Sequence, residues 1–297
     1  MTLALNLIGP GRAGRALASL LSRSDACQLQ DVLGRSLPSA QQAIAFLGAG
    51  RAAAEMAAMR PAQIWLIATP DTVVAETAAA LAVARVLRPG DIVWHCSGAL
   101  SSAELAPARE AGAQLASVHP LKSFADPAVA MKSFAGTWCT AEGDERALAV
   151  LLPLFEALGA RIARIDAAGK TLYHSGAVLA CNALTALMQA GLRAFAHAGV
   201  ARETALLMME PLARETLDNV FRLGPVPALT GPVARGDDAV VARQLDALRQ
   251  VDAEVAEVYR ALSVIALGLA KAQGGAAEAA LASLQKTLKN INKNNIL

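Results

Sequence analysis

A chain of 297 residues exceeds what one compact core usually organises, which favours two domains. Hydrophobic residues at 55% and charged residues at 18% exclude a disordered chain, and aromatics at 4% beside abundant alanine favour packed helices over an all-β sandwich. A net charge of +2, from 27 basic and 25 acidic residues, excludes a nucleic-acid surface and a polybasic membrane patch.

In chain order, 3–8 is a short apolar run ending in glycine, which suits a buried parallel strand. Helical spacing follows over 12–22, then a strand at 29–33 and helices at 38–47 and 52–59. Strand 63–68 closes on Thr69-Pro70, and Asp71 is placed to cap a helix over 71–84. The turn Pro89-Gly90 announces strand 91–96. A helix over 101–111, a strand at 114–118, a strand at 136–140, a helix over 144–158 and a strand at 161–165 complete the alternation. This is the pattern of a doubly wound parallel sheet.

The texture changes near Asp166. Helical periodicity covers 170–198, 202–222, 237–248, 252–272 and 276–288, with turns at Gly224-Pro225 and Thr230-Gly231-Pro232. The expected architecture is α/β: a Rossmann sheet over 1–165, then an all-α domain over 166–297. The basic run from Lys286 to Lys293 reads as a solvated terminus. Run 3–8 is too short for a signal peptide or a span, and the later apolar stretches are broken by Arg, Lys, Glu or His. A soluble cytoplasmic protein is expected. The four cysteines form no C-x-x-C pair, so buried free thiols and no metal site are expected.

Gly9-Pro10-Gly11-Arg12-Ala13-Gly14 is G-x-G-x-x-G between a strand and a helix, the context this fingerprint requires. Gly9 permits the turn, Gly11 leaves room for a pyrophosphate, and Gly14 lets the helix approach the sheet. Amides at the helix start then face the phosphates. The pair Gly48 and Gly50 follows a helix and reads as a C-cap loop. At the tip of the second strand stand Gly34-Arg35-Ser36. Arg35 suits a 2′-phosphate and Ser36 can donate to it, whereas Asp31, the competitor for a ribose hydroxyl, lies inside the strand. NADP(H) is therefore the expected cofactor.

Ligands of such sheets sit beyond the carboxyl ends of the strands. Thr69 and Pro70, Ser97 and Gly98, and His119 occupy three of these ends. Thr69 and Asp71 serve equally as helix caps, Cys96 reads as a buried thiol, and His95 lies within its strand. At the start of the helical half, Lys170 and His174 are four apart and share a helical face, with Asn182 two turns on. That stripe, with His119, supplies candidates to polarise a carbonyl or donate a proton. Asn182 and Arg235 are candidate substrate contacts, Arg235 through a carboxylate. Asp237 beside it reads as a helix N-cap.

GPGRAGRAL near the start, TPD at Thr69, HCSGAL at His95, SVHPLKSF at Ser117, GKTLYHSGAVLACN at Gly169 and LTGPVARGD at Leu229 resemble one bacterial family. Its members are Rossmann-like candidate oxidoreductases whose C-terminal helical domain has no assigned function. The family is similar to pyrroline-5-carboxylate reductase, ketopantoate reductase and 3-hydroxyisobutyrate dehydrogenase. The resemblance implies NADP binding and a homodimer through the helical domain. In the hydroxyacid relatives a lysine is followed four residues later by asparagine, where this chain has Lys170 and His174. Two functions follow. One is an NADP(H)-dependent oxidoreductase acting on a small polar carbonyl, hydroxy or imine compound, with ketopantoate as a specific version. The other is a non-catalytic NADP(H)-binding regulator or scaffold.

Overall fold

The computed structural model describes residues 2–23 and 25–289. Its contacts divide the chain into two compact units, Met1–Leu179 and Ala180–Leu297. The first unit thus extends beyond the compositional change at Asp166 and takes in the helix that carries Lys170.

An eight-stranded sheet organises the first unit, in the order β3-β2-β1-β4-β5-β6-β7-β8. The strands are β1 (Leu3–Ile8), β2 (Cys27–Leu33), β3 (Arg51–Ala53), β4 (Ile64–Ile67), β5 (Ile92–His95), β6 (Gln114–Pro120), β7 (Trp138–Gly143) and β8 (Arg161–Arg164). Helices α1 (Arg12–Ser22), α2 (Leu37–Leu47), α3 (Val74–Val83), α4 (Ala106–Arg109), α5 (Pro127–Lys132) and α6 (Glu145–Ala157) connect them, and α7 (Lys170–Val178) ends the unit. Both faces of the sheet are covered. Leu5, Leu7 and Trp94 enter one core with Leu17, Leu148 and Phe155. Ile8, Ile67 and Val93 enter the other with Val74, Leu81 and Leu105. A sheet buried on both faces needs continuous apolar strands, which explains the fully buried run Ile64–Ile67.

Two strands depart from the sequence reading. The alanine-rich segment 52–59 has helical propensity, yet it forms strand β3 followed by a 3-10 turn at Met56–Ala58. Arg51 is the register partner of Asp31 and pairs with its carboxylate, and that tertiary contact overrides propensity. The second departure is that β7 runs antiparallel to β6. The chain leaves β6, forms α5, capped by Asp126, and returns at the same end of the sheet, where the Leu121 amide bonds the Trp138 carbonyl at 2.8 Å. The other neighbouring strands pair in parallel. Gly48 closes α2 in the left-handed conformation, as its position after a helix requires. Asp71 stands within a 3-10 turn, Asp71–Val73, instead of capping α3.

The second unit is helical: α8 (Leu184–His197), α9 (Arg202–Leu223), α10 (Pro225–Ala228), α11 (Pro232–Arg235), α12 (Asp238–Val251), α13 (Ala253–Gln273) and α14 (Glu278–Lys289). Its core gathers Val233, Val241, Leu267, Ala270, Leu281, Leu284 and Leu288. Arg193 ties α8 to the start of α13 by two bonds to Asp252, which also caps α13 at Val255 N. Lys286 and Lys289 belong to α14, while the rest of the basic tail lies outside the described residues. By length and composition the run 167–197 could cross a membrane, and little of it is buried within the structure. It is one continuous helical run with a change of pitch inside it. A π-turn, Leu179–Ala183, makes that change and breaks the spacing that put Asn182 on the face of Lys170 and His174.

Candidate active site

The strand-to-helix turn after β1 is built for close approach. Gly9 adopts φ +86°, and a Cβ there would lie 2.7 Å from Thr69 N. A Cβ on Gly14 would lie 2.5 Å from the Gly9 carbonyl oxygen. The protein's own packing therefore demands glycine at both positions. At Gly11 it does not, since the nearest atom to an added Cβ is the Ala68 oxygen at 4.0 Å. Gly11 keeps space open in a cleft of about 660 Å³, which Gly9, Pro10, Arg15, Arg35, Ser39, Gln42, Thr69 and Pro70 also line. Helix α1 starts at that cleft, and among the described residues no side chain caps it. Its first amides leave a positive end facing the opening. The Thr69 hydroxyl on the cleft wall is buried and finds no partner among the described residues. A glycine gap, an uncapped helix start, two arginines and an unsatisfied hydroxyl fit a dinucleotide phosphate.

Asp31 is committed elsewhere. Its fully buried carboxylate accepts bonds from Arg51 Nε and Nη2, Arg60 Nε and Nη2 and the Arg60 amide. Burial would raise its pKa, but these bonds outweigh it and hold the carboxyl at about 2.

A second cluster stands at the carboxyl ends of β5 and β6. His95 and Ser117 are register partners, and His119 lies two residues on, so the three share one face. Burial pushes His95 down to about 4, so its ring is neutral. It takes the Ser97 amide on Nδ1 at 3.2 Å and gives Nε2–H to the Ser101 carbonyl at 3.0 Å. The ring thereby spans the loop after β5. The Ser97 hydroxyl accepts the Ala99 and Leu100 amides and tightens the same loop. Gly98 at its apex is buried, and a Cβ there would fall 2.5 Å from His174 Nδ1 and 2.8 Å from His119 Nε2. The rings of His119 and His174 stand 5.8 Å apart, and His119 Nδ1 meets the Tyr173 hydroxyl at 3.0 Å. Burial first, then Lys170, His174 and His95, lower His119 to about 4. His174 Nδ1 is buried without a partner among the described residues.

Of the residues singled out from sequence, Gly9, Pro10, Gly11, Arg35, Thr69 and Pro70 line the first cleft, and Arg12, Ala13 and Gly14 begin the helix behind it. Ser36 caps α2, its hydroxyl accepting from the Ser39 amide at 3.3 Å. Ser97, Gly98, His119 and His174 come together in the second cluster. Lys170 joins it from beneath: its ammonium is turned into the protein, against the Ser97 carbonyl and the Ser117 hydroxyl. Asn182 and Arg235 belong to the second unit, where Asn182 is exposed. Arg235 pairs with Asp237 at 2.8 Å, and that carboxylate caps no amide of α12 among the described residues. Sequence reasoning missed Arg15, Ser39 and Tyr173. Arg15 lies one turn beyond Gly11 and Tyr173 three residues after Lys170, so helical spacing could have found both.

Residues 1–120 match a Rossmann-like domain family and residues 137–266 match a domain of unknown function, DUF2520. Protein TM1727 from Thermotoga maritima is 26% identical, with a TM-score of 0.70 over 91% of this chain and 99% of that one. The candidate NADP oxidoreductase BF3122 from Bacteroides fragilis is 20% identical, with a TM-score of 0.70 over 89% and 98%. An imine reductase from Myxococcus stipitatus, solved in complex with NADP+, is 15% identical, with a TM-score of 0.66 over 96% and 100%. No curated protein sequence matches the chain significantly.

Proposed function

From a chain that joins a Rossmann-like domain to a DUF2520 domain, we propose an NADP(H)-dependent oxidoreductase acting on a small polar carbonyl or imine. The observation that carries this reading is the cradle at Gly11, open for a ligand where the protein's own packing asks for no glycine. The Gly9–Gly11 turn and the start of α1 would hold the pyrophosphate, and Arg35 with Ser39 the 2′-phosphate. NADP-bound imine reductase shares the fold, which is consistent with this choice.

A bound nicotinamide supplies a hydride to the substrate carbon. The chain then has to protonate the oxygen or nitrogen. His119 is the group we assign to that step. With the Tyr173 hydroxyl donating to Nδ1, the neutral ring carries its proton on Nε2, the atom beside Gly98. Nε2 gives that proton to the substrate as Nδ1 takes the Tyr173 proton; solvent then reprotonates Nε2, and the Nδ1 proton returns to the Tyr173 oxygen. His174 is the neighbouring ring that orients the same atom. The convergence of the two histidines on Gly98 favours an enzyme over a non-catalytic NADP(H)-binding regulator.

NADPH should raise the melting temperature more than NADH at equal concentration. Arg35→Ala should cut the preference for NADPH about tenfold or more, the weight of one charge-assisted bond. Small 2-oxo acids, ketopantoate among them, and cyclic imines should be screened for NADPH oxidation. A protein that neither dinucleotide stabilises would defeat the proposal.

The helical unit is proposed to pair with a second copy. Helix α9 runs for 22 residues, yet Ala205 is the one residue of it buried among those described. Leu207 and Phe221 are 73% and 85% exposed. A helix that leaves such large apolar side chains in water is poorly stabilised. Light scattering should give a dimer, and Leu207→Glu with Phe221→Glu should give a monomer. A wild-type monomer at micromolar concentration would exclude the pairing.

A further inference from the structure

Beneath the histidines lies a buried ion pair that the proposed chemistry does not itself use. Lys170 is 1% exposed and Glu142, on β7, 5% exposed. The ammonium donates to the Ser97 carbonyl at 2.8 Å and to the Ser117 hydroxyl, and stands 4.0 Å from Glu142 Oε1. The Glu142 carboxylate accepts from the Ser102 amide at 2.7 Å and the Ser102 hydroxyl at 2.8 Å. Lys170 thus grips one end of the segment 97–102 and Glu142 the other. His95 holds Ser97 and Ser101 between them. Gly98, against which both histidines pack, belongs to this segment.

We infer that Lys170 and Glu142 are a positioning pair, which fixes the loop after β5 and so seats Gly98 against His119 and His174. An ammonium has three donors. Two are spent on Ser97 and Ser117, and Glu142 faces the remainder, so no N–H is directed outward. A charge so deeply buried is tolerated only because a counter-ion and hydrogen bonds surround it. Burial lowers Lys170 to about 8, against the pull of Glu142, Cys96 and Asp71, so it is mostly charged at neutral pH. Its neighbours His95 and His119 are neutral there. The inference rests on the reading of His119 as the proton donor only for its effect on rate.

The test compares full-length Lys170→Met, Glu142→Gln and the double variant, without substrate and with it. Each single variant should lower the melting temperature by about 6–15 °C, since it strands a buried charge. The double variant should be no worse than either single one. Each should shift the NMR signals of His119 and His174, lower kcat, and leave the pH–rate profile unchanged in shape. The opposite pattern overturns the inference: Lys170→Met loses the alkaline limb of the profile at an unchanged melting temperature, while Glu142→Gln behaves as wild type. Lys170 would then be the acid. If the charge variants do not fold, Ser102→Ala removes one Glu142 bond more gently. Unmoved histidine signals in that variant would equally reject the pair. If the wild type turns over no substrate, the reductase reading fails, and melting and histidine signals still decide the pair.

Discussion

His119→Ala is expected to lower kcat by about 10²–10⁴-fold while dinucleotide affinity stays within about twofold. In the proposed reaction the ring donates a proton while remaining neutral. Burial, reinforced by Lys170, His174 and His95, keeps its pKa at about 4, so a single proton resides on it through the physiological range. In the proposed step the Tyr173 hydroxyl donates to Nδ1, which places the ring proton on Nε2 for the substrate. His119→Gln should separate two contributions, because an amide reproduces the hydrogen bond but does not transfer the proton. Its rate should fall between those of the wild type and His119→Ala. The rate should also be flat in pH across the range where a free imidazole titrates, near 6.5. Single-turnover measurements check these outcomes. A kcat for His119→Ala within threefold of wild type, or an inflection near 6.5 that disappears in that variant, would sink the assignment.

The same cluster shows which parts of the molecule were legible in the sequence. The glycine fingerprint was, because strand, turn and helix are contiguous and each glycine answers to local geometry. His119 was, because a strand end is a place that an apolar run defines. The Lys170–Glu142 pair was not. Lys170 meets Ser97 across 73 residues and Ser102 meets Glu142 across 40, and nothing local marks either contact. Helical spacing put Lys170 on one face with His174, which is correct for the backbone. It could not say that the long side chain turns inward to a carbonyl. The segment 52–59 failed for a related reason, since alanine propensity was outweighed by one ion pair to Asp31. The antiparallel β7 was missed because its direction depends on where the chain returns after α5, not on its own residues.

Asp31→Ala is expected to destabilise the first unit by about 3–5 kcal/mol, the range for removing one partner of a buried ion pair. The carboxylate has no exposure, and it joins three segments: β2 itself, Arg51 on β3 and Arg60 before β4. Beside it, Asn6 is buried where the β1–β2 register shifts, takes the Asp31 amide on Oδ1 and donates to the Arg60 carbonyl. Removing the carboxylate therefore strands two guanidiniums. Both are about half exposed and can turn to water, so the cost should fall at the lower end of the range. Strand β3, which Arg51 anchors, should lose its amide-exchange protection first. The pH dependence follows from the same carboxyl. Its pKa lies at about 2 in the folded protein against 3.8 ordinarily. The stabilisation, about 2 kcal/mol, is complete above the ordinary value and is lost as pH falls through about 2. Wild-type stability should thus decline between pH 4 and 2 more steeply than that of Asp31→Asn. Thermal melts across that interval, with NADH and NADPH titrations at neutral pH, separate this role from recognition of a ribose hydroxyl. If Asp31→Ala melts like the wild type but loses NADH affinity, the carboxylate serves the cofactor and the ion-pair account is wrong.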